Sequence, residues 1–198
     1  MRIAVDAMGG DFAPSAPVEG AVLAARHAGV SLLLIGPRDE VEQELRRHLP
    51  AGGLDIRVVD APDVVAMDEP STSVLRAKRG ASVRVAAEAV ARGEADALFS
   101  AGHTGAAVMA AHAAMGLLRG VERPALAATI PTVSGTAVLL DAGANVECRP
   151  QHLVQFARLG RAYARAALGV SQPRVGLLSI GAEESKGNEL TREAHQML

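Results

Sequence analysis

Several kinds of residue are scarce in this sequence, and each scarcity excludes a class of protein. Aromatic residues make up 2% of the 198 residues and tryptophan is absent, so stacking platforms for nucleic-acid bases are not expected. The formal net charge of −2 lacks the basic excess of a nucleic-acid-binding surface. A lone cysteine, Cys148, cannot form a disulfide within the chain, which is typical of a reducing compartment. With no long apolar run and no signal-peptide pattern, we expect a soluble, cytoplasmic protein that binds no nucleic acid.

Lysine is scarce as well, because the chain has only two, Lys78 and Lys186, against eighteen arginines. Lys186 lies in "GAEESKGNEL", just ahead of a predicted helix whose N-cap is Asn188. A lysine at that point adds a mobile charge with three donors to an electropositive helix terminus, which favours anion binding. The alternative is a solvated loop lysine balanced by the neighbouring glutamates. Both interpretations stay open on the residues alone.

Short apolar runs alternate with alanine-rich helical patterns, which predicts an α/β fold. Because most of the runs are continuous rather than alternating, we expect a mainly parallel sheet covered on both faces, a three-layer α/β/α arrangement within one domain, 1–198. Strands are predicted at 2–7, 31–36, 55–60, 95–100, 125–130, 136–141 and 174–180. Helices are predicted at 15–28, 38–48, 71–92 with a break near Gly80, 105–118 and 150–168. The final helical pattern has no closing glycine or proline, so we expect the chain to be truncated at its C-terminus.

Ligands of open α/β sheets bind beyond the carboxyl ends of the strands, and the first predicted strand ends in "DAMGGD". Gly9 and Gly10 would let the backbone approach a ligand, while Asp6 and Asp11 could orient donors or cap the next helix. The alternative is a tight turn with a capping aspartate.

A second loop, "SAGHTGA", joins a predicted strand to an alanine-rich helix. The unpaired amides of a first helical turn favour a phosphate or carboxylate, and the small residues would let it come close. The candidate residues are Ser100, Gly102, His103, Thr104 and Gly105. The spacing matches neither the P-loop nor the dinucleotide fingerprint.

The third loop, "DAGANVECRP", contributes Asp141 and Asn145 as candidates, and Pro150 suits a first helical turn. Cys148, in the same loop, is either a thiol nucleophile or a small half-buried residue. The six histidines show no metal-ligand spacing, so no metal is expected, and those other than His103 are expected on helix surfaces. The cationic run "LRAKRG" (75–80) either meets an acidic partner or a phosphate or is a solvated face.

Five segments occur in the order of a known family: "DAMGGDFAP", "SAGHTGA", "RPALA", "LDAGANVECRPQHLVQFA" and "VGLLSIGAEESKGNEL". On these segments, which extend over essentially the whole chain, the sequence resembles the PlsX phosphate acyltransferases of bacterial phospholipid synthesis. It departs from that family at His103 and Ser179, where the family pattern has asparagine, and family members are longer.

The resemblance implies that a fatty acyl group is transferred from acyl carrier protein to inorganic phosphate. The acyl phosphate would supply a membrane-bound glycerol-3-phosphate acyltransferase. The resemblance further implies a cofactor-free homodimer, cytoplasmic with peripheral membrane contact, and a fold similar to phosphotransacetylases and isocitrate/isopropylmalate dehydrogenases. Lys186 corresponds to the lysine of the family's GxExxKG loop, so we expect it to bind phosphate or to stabilise transition-state charge.

Three alternatives have different chemistry. A phosphotransacetylase-type enzyme would make the same attack on an acyl-CoA thioester. A non-catalytic domain would keep the phosphate loops without turnover. A nucleotide-dependent dehydrogenase is suggested by fold analogy alone, and the sequence lacks its fingerprint loop.

Overall fold

The computed structural model describes residues 1–48, 53–133, 135–181, 183 and 186–198. Contacts divide the chain into two compact units, Met1–Gly116 and Leu117–Leu198. The sequence-based expectation of a single domain, 1–198, stays a prediction.

The first unit alternates strands with helices, which confirms the α/β prediction. Its predicted bounds are matched for the first two helices and for the second strand. The elements in chain order are β1 (Arg2–Asp6), α1 (Ser15–Ala28), β2 (Ser31–Gly36), α2 (Arg38–His48), β3 (Ile56–Asp60), α3 (Ser73–Arg76), α4 (Ser82–Ala91), β4 (Ala97–Phe99) and α5 (Thr104–Met115).

The four strands form one parallel sheet in the order β3-β2-β1-β4. Ala4 is opposite Leu33 on one side of β1, and Val5 is opposite Phe99 on the other. The sheet therefore first grows away from β1 in one direction and then adds β4 at the opposite side. The carboxyl ends of β1 and β4 therefore form a topological switch point, the place where open α/β sheets bind ligands.

Successive side chains of each buried strand point to opposite faces of the sheet, and each face has its own core. Leu34 packs with Val18 and Val41, from α1 and α2, on one face. Leu33 packs with Ala86, from α4, on the other. Because both faces are covered by helices, the strands are continuously apolar, and the predicted three-layer arrangement is confirmed in this unit.

The predicted helix 71–92 is interrupted more widely than the sequence suggested, since only α3 and α4 are helical. Asp63 binds both backbone polar groups of Gly80, which lies in the interruption. Its carboxylate accepts from Gly80 N at 3.1 Å, and its own N–H donates to Gly80 O at 3.2 Å. A Cβ at Gly80 would lie 3.0 Å from that carboxylate. The break is therefore set by a contact from a distant loop, which a local helical pattern does not contain.

The second unit contains a hairpin and two helices: β5 (Ala128–Thr132), β6 (Gly135–Leu139), α6 (Pro150–Leu168) and α7 (Glu189–Met197). The two strands pair antiparallel. Helix α6 begins at Pro150, as predicted, and ends at Gly169, which has φ of +67°. Asn188 caps α7 by accepting from Thr191 N at 2.9 Å, so the predicted N-cap is confirmed.

The predicted strand at 174–180 is wrong, because this segment is irregular. Its apolar side chains are largely exposed, at 46% for Val175, 79% for Leu178 and 87% for Ile180. A strand needs a neighbour to complete its hydrogen-bond ladder, and no described strand pairs with these residues. The apolar composition alone does not supply that neighbour.

Candidate functional site

A buried carboxylate marks the switch point of the first unit. Asp6, the last residue of β1, is 4% exposed. Its Oδ1 accepts from Ser82 Oγ at 2.6 Å, and its Oδ2 accepts from Ser100 Oγ at 2.7 Å. Met8 N, at 3.2 Å, adds a further donor to Oδ1. A buried carboxylate is costly unless it is hydrogen-bonded, so these donors, drawn from α4 and from the end of β4, stabilise the point where three elements meet.

Two glycines allow the loops after β1 and β4 to touch. A Cβ at Gly9 would lie 2.8 Å from both Asp6 Oδ2 and Gly102 N, and a Cβ at Gly102 would lie 2.9 Å from Gly9 Cα. Gly10 has φ of +104°, which side-chain-bearing residues rarely adopt. Gly102 N donates to Ser100 Oγ at 3.2 Å, so the second loop is tied to the hub at Asp6. The structure thus brings both glycine loops together at the carboxyl ends of β1 and β4.

Helix α5 begins one residue earlier than predicted, at Thr104, because His103 is its N-cap. His103 Nδ1 accepts from Ala106 N at 3.3 Å, while His103 Nε2 lies 3.0 Å from Glu69 O. Both ring nitrogens are therefore used in contacts within the protein. A Cβ at Gly105, the second residue of α5, would lie 2.9 Å from Ser71 Cβ, so the loop that contains Ser71 packs closely on the start of α5.

The two remaining candidates of this unit, Asp11 and Thr104, are exposed. Asp11 does not cap the following helix, since the N-cap of α1 is Pro14 and no side chain bonds to its first turn. Thr104 begins α5 with its side chain toward solvent.

A small cleft lies where these loops meet. It is lined by Asp6, Met8, Gly9, Val64, Val65, Ser82, Val83, Gly102, His103 and Ala106. Its volume is about 10 Å³, which is close to the least space that holds one water molecule. In this arrangement the cleft admits a water-sized group and not a whole phosphate.

The loop after β6 is organised by Asp141. Its Oδ1 accepts from Leu126 N at 2.7 Å and from Ala144 N at 3.2 Å, and its Oδ2 accepts from Asn145 N at 2.7 Å and Asn145 Nδ2 at 3.0 Å. Burial by itself would raise the pKa of Asp141, but the donors at Leu126, Asn145 and Ala144 outweigh it and hold the pKa below its ordinary value. Asn145 also donates to Pro124 O at 2.8 Å. Both candidates of this loop are therefore engaged in holding its shape.

Cys148 fits the second of its two interpretations. Burial raises the pKa of its thiol, the negative charge of Asp141 raises it further, and the positive charge of Arg123 opposes them. A thiol held protonated is a weak nucleophile, so the contacts favour a small half-buried residue. The expectation that the remaining histidines are on helix surfaces is wrong for His152, which is 4% exposed and accepts from Arg149 N at 3.0 Å.

Lys186 is exposed and lies two residues before the N-cap of α7. Its backbone N–H donates to Glu183 O at 2.9 Å. The next residue, Gly187, has φ of +87°, and a Cβ there would collide with Thr191 Oγ1. Within the same loop, Ala182, Glu184 and Ser185 lie outside the described residues. The chain thus turns sharply at Gly187 and presents Lys186 ahead of the amino end of α7.

Lys186 also lines a wide groove inside the second unit, of about 1000 Å³. Its arginine lining comes from Arg158 and Arg161 on α6 and from Arg192 on α7. The sequence did not indicate these side chains, because an arginine on a single helix has the pattern of an ordinary solvent-exposed residue. Only the packing of the two helices shows that they line one groove.

Two other residues near the glycine loops, Ser82 and Glu69, were missed as well, and the role of Lys78 was left open. Ser82 binds Asp6 from 76 residues away, which no local motif shows. Lys78 forms an ion pair with Glu69 and donates to Val64 O. For Lys78 the available signals were lysine scarcity and the cationic run "LRAKRG", and the suggested contact of that run with an acidic partner or a phosphate stays a prediction.

Within the described ranges, no group of three or more His, Cys, Asp or Glu side chains is arranged to hold a metal ion. None of the described helices is both long and apolar enough to cross a membrane.

The sequence of this chain matches a known protein family. Residues 1–198 match a family model described as fatty acid synthesis protein. A phosphate acyltransferase of Nitratidesulfovibrio vulgaris is 52% identical over 195 residues, 98% of this chain and 56% of the relative. Phosphate acyltransferases of Geobacter sulfurreducens and Desulforamulus reducens are each 50% identical over 198 residues, the whole of this chain and 57% and 59% of those relatives.

The chain therefore spans little more than half the length of the curated relatives it matches. Because the family model covers every residue and the identity is about half throughout, the chain belongs to the fatty acid synthesis protein family, the PlsX family that the sequence motifs indicate.

Proposed function

We propose that this protein transfers a fatty acyl group from acyl carrier protein to inorganic phosphate, giving acyl phosphate for phospholipid synthesis. The observation that carries the proposal is the 50–52% identity, over at least 98% of the chain, to relatives named phosphate acyltransferase. The glycine loops at the switch point of the first unit support it, since they are built for close approach to the backbone at a helix terminus.

The reaction sets two electrostatic tasks. A phosphate oxygen attacks the thioester carbonyl, the C–S bond breaks as the tetrahedral oxyanion collapses, and the carrier protein leaves as a thiolate that takes up a proton. The protein must hold one anion and stabilise a second that develops on the carbonyl oxygen. Backbone amides, helix termini and a lysine suit both tasks, because they act by positioning and by preorganised charge.

In the first unit, we assign phosphate contacts to the loop backbone and the first turn of α5. The residues are Gly9, Gly10, Gly102, Thr104 and Gly105, with Asp11 at the loop mouth. Asp6 and Ser100 shape these loops from beneath, as their mutual hydrogen bond supports. Substituting Gly9 or Gly102 would force the two loops apart, so we expect both glycines to be needed for phosphate affinity.

In the second unit, we assign Lys186 to phosphate binding or to the charge of the transition state. Its exposed position ahead of the amino end of α7 supports this role. Asp141 and Asn145 keep the loop before α6 in shape through the contacts described above.

We further propose acyl carrier protein as the acyl donor and inorganic phosphate as the acceptor. The acyl phosphate would be used by a membrane-bound glycerol-3-phosphate acyltransferase. A homodimer in the cytoplasm, with peripheral contact to the membrane, would fit that sequence of reactions.

The test is acyl-phosphate formation from acyl carrier protein and inorganic phosphate, with acyl-CoA run in parallel. Two proteins would be assayed: this chain, and a chimera in which it replaces the matching part of the Geobacter sulfurreducens relative. Turnover that requires the carrier protein supports the proposal, and turnover in the chimera alone assigns part of the machinery to the remaining portion of the relative.

Turnover with acyl-CoA only would favour a phosphotransacetylase-type enzyme. Folded proteins that bind phosphate and turn over neither substrate would overturn the proposal in favour of a binding domain.

A further inference from the structure

The 63–72 segment of the first unit lies against the amino end of α5. Val64 and Val65 line one wall of the small cleft, and the glycine loops line the other. Near the other end of the segment, Ser71 packs closely on Gly105, since a Cβ added at Gly105 would lie 2.9 Å from Ser71 Cβ. Because the cleft between these walls has room for about one water, the position of the segment decides how much space is open at the α5 amides.

His103 connects α5 to this segment through both ring nitrogens. The contact at Nε2 is Glu69 O, and a carbonyl oxygen only accepts, so Nε2 carries the proton. The contact at Nδ1 is the backbone N–H of Ala106, which only donates, so Nδ1 must offer its lone pair. The two partners therefore select a neutral imidazole with its proton on Nε2.

Protonation would break this arrangement. An imidazolium carries a second proton on Nδ1, which would point at the Ala106 N–H and remove the cap of α5. It would also place a positive charge at the electropositive end of the helix. The charged groups from neighbouring elements already have partners: Asp6 binds two serine hydroxyls, Glu69 pairs with Lys78, and Arg84 of α4 pairs with Glu88.

Lys78 also contacts this segment. Its ammonium group bonds to Val64 O and to the Glu69 carboxylate, which lie five residues apart within the segment. Ser73 Oγ, at 3.4 Å, adds a weaker contact to that carboxylate. Lys78 thus holds the shape of the segment, whereas His103 holds it against α5.

We propose that His103 is a positioning residue that docks the 63–72 segment onto the amino end of α5 and releases it when the imidazole is protonated. The docking follows from contacts of the chain with itself. Only its consequence rests on the proposed function: a docked segment limits access to the amides that we assign to phosphate.

The test is amide hydrogen exchange on the 198-residue chain at about pH 5 and about pH 8, which bracket the range over which histidine titrates. Rates are corrected for the intrinsic effect of pH, and amides of β2 report any global loss of stability. We expect protection of the segment and of Ala106 to fall about fivefold at the lower pH relative to β2, the factor for a lost helix N-cap. Equal protection at both pH values would overturn the proposal without any variant.

Three variants separate docking from general stability. His103→Asn keeps a cap acceptor but is too short to reach Glu69 O, so the segment should be poorly protected at both pH values. His103→Gln can still donate to Glu69 O and does not titrate, so protection should stay high at both. His112→Asn, the same change at an exposed site on α5, should retain the pH dependence of the unmodified chain.

A pH dependence that survives in His103→Asn, or that disappears in His112→Asn, would overturn the assignment to His103. Relative to the unmodified chain, Lys78→Gln should lower protection of the segment by the same factor at both pH values. A factor that differs between the two pH values would also count against the assignment to His103. Hydrogen exchange involves no acyl transfer, so a lack of turnover in both the chain and the chimera would overturn the proposed function and leave this result intact.

Discussion

Two aspartates lie at or just after the ends of strands in separate units, and their hydrogen-bond donors come from different parts of the chain. Asp6 is buried at the end of β1, and the hydroxyls that it binds lie 76 and 94 residues away in the sequence. Asp141 is half-buried after β6, and it binds backbone amides of its own loop and of Leu126, 15 residues earlier. One hub joins distant elements, whereas the other closes a local turn.

The difference shows what each carboxylate depends on. The partners of Asp6 exist only when β1, β4 and α4 have assembled, so this hub couples the two glycine loops to the sheet. The partners of Asp141 are supplied mostly by its own loop, and water can replace some of them. Removing the long-range hub should therefore lower the free energy of unfolding more than removing the local one. Removing a group that acts on the substrate should instead lower turnover, and by a larger factor than either change of stability corresponds to.

The largest effect is expected at Lys186, which contributes to neither hub. Lys186→Ala should lower acyl-phosphate formation about 100- to 1000-fold, the usual loss for one group that stabilises transition-state charge. Because the side chain is exposed, the free energy of unfolding should hardly change. The assay uses whichever protein, chain or chimera, is active. Arg174→Ala, another exposed cation of the second unit, should retain normal turnover, and normal turnover in Lys186→Ala would remove the assigned role.

The next effect is expected at the long-range hub. Asp6→Asn should lower the free energy of unfolding by about 2–3 kcal/mol, because an amide cannot accept from both serine hydroxyls at once. Ser82→Ala and Ser100→Ala should each cost about 1–2 kcal/mol, and the combined changes should not add, since all three share one network. Denaturant unfolding measures these values. Strict additivity would show that the hub does not act as a unit.

A glycine pair separates close approach from helix propensity. Gly9→Ala should cost about 1–3 kcal/mol, since the new Cβ would lie 2.8 Å from Asp6 Oδ2 and Gly102 N. Gly20→Ala, in α1 with nothing within 4 Å of its new Cβ, should stabilise the protein by up to about 1 kcal/mol. Thermal or denaturant unfolding distinguishes the two. A neutral Gly9→Ala change would mean that the loops separate easily.

The smallest effect is expected at the local hub. Asp141→Asn should cost about 1 kcal/mol, because one new N–H group would face the donors of Asn145. The folded pKa of Asp141 lies below the ordinary value of 3.8, so its contribution is complete above that value and is lost as pH falls through the lowered folded pKa. Unfolding followed from neutral to acidic pH should show a shallower loss in Asp141→Asn. A loss as large as that of Asp6→Asn would contradict the comparison.

Elements defined by local signals were predicted closely. The bounds of α1, β2, α2 and α6 agree with the sequence-based ones. In α6 the reason is visible at both ends, where Pro150 starts the helix and Gly169 ends it in a left-handed conformation. Such signals act over a few residues, so they can be recognised before the fold is known.

Elements that need a distant partner were predicted less well. The 174–180 run is apolar enough for a strand but has no partner strand among the described residues. Strand β5 begins at Ala128, three residues later than expected, and just before it Leu126 N binds the Asp141 side chain. In both cases an inter-strand or loop contact decides the structure, and composition does not encode that contact.

The candidate site shows the same difference between local signals and distant contacts. The sequence named Asp6, Ser100, Gly9 and Gly102 at the ends of two predicted strands, but it did not show that their loops meet. It could not name Ser82, which reaches Asp6 from the start of α4. It also assigned His103 to an anion, whereas the structure uses both of its ring nitrogens within the protein.

By itself, the sequence determined the family, the alternation of strands and helices, and the residues that end the strands, because motifs, periodicity and caps are local properties of the chain. Only the tertiary structure decided which of those residues meet. The parallel order β3-β2-β1-β4 places Ser82 and Ser100 on one carboxylate and brings Glu69 to His103, and each of these contacts joins residues 34 to 94 positions apart. Contacts of that range form only when the sheet and helices pack, since it is burial that makes each donor need its acceptor.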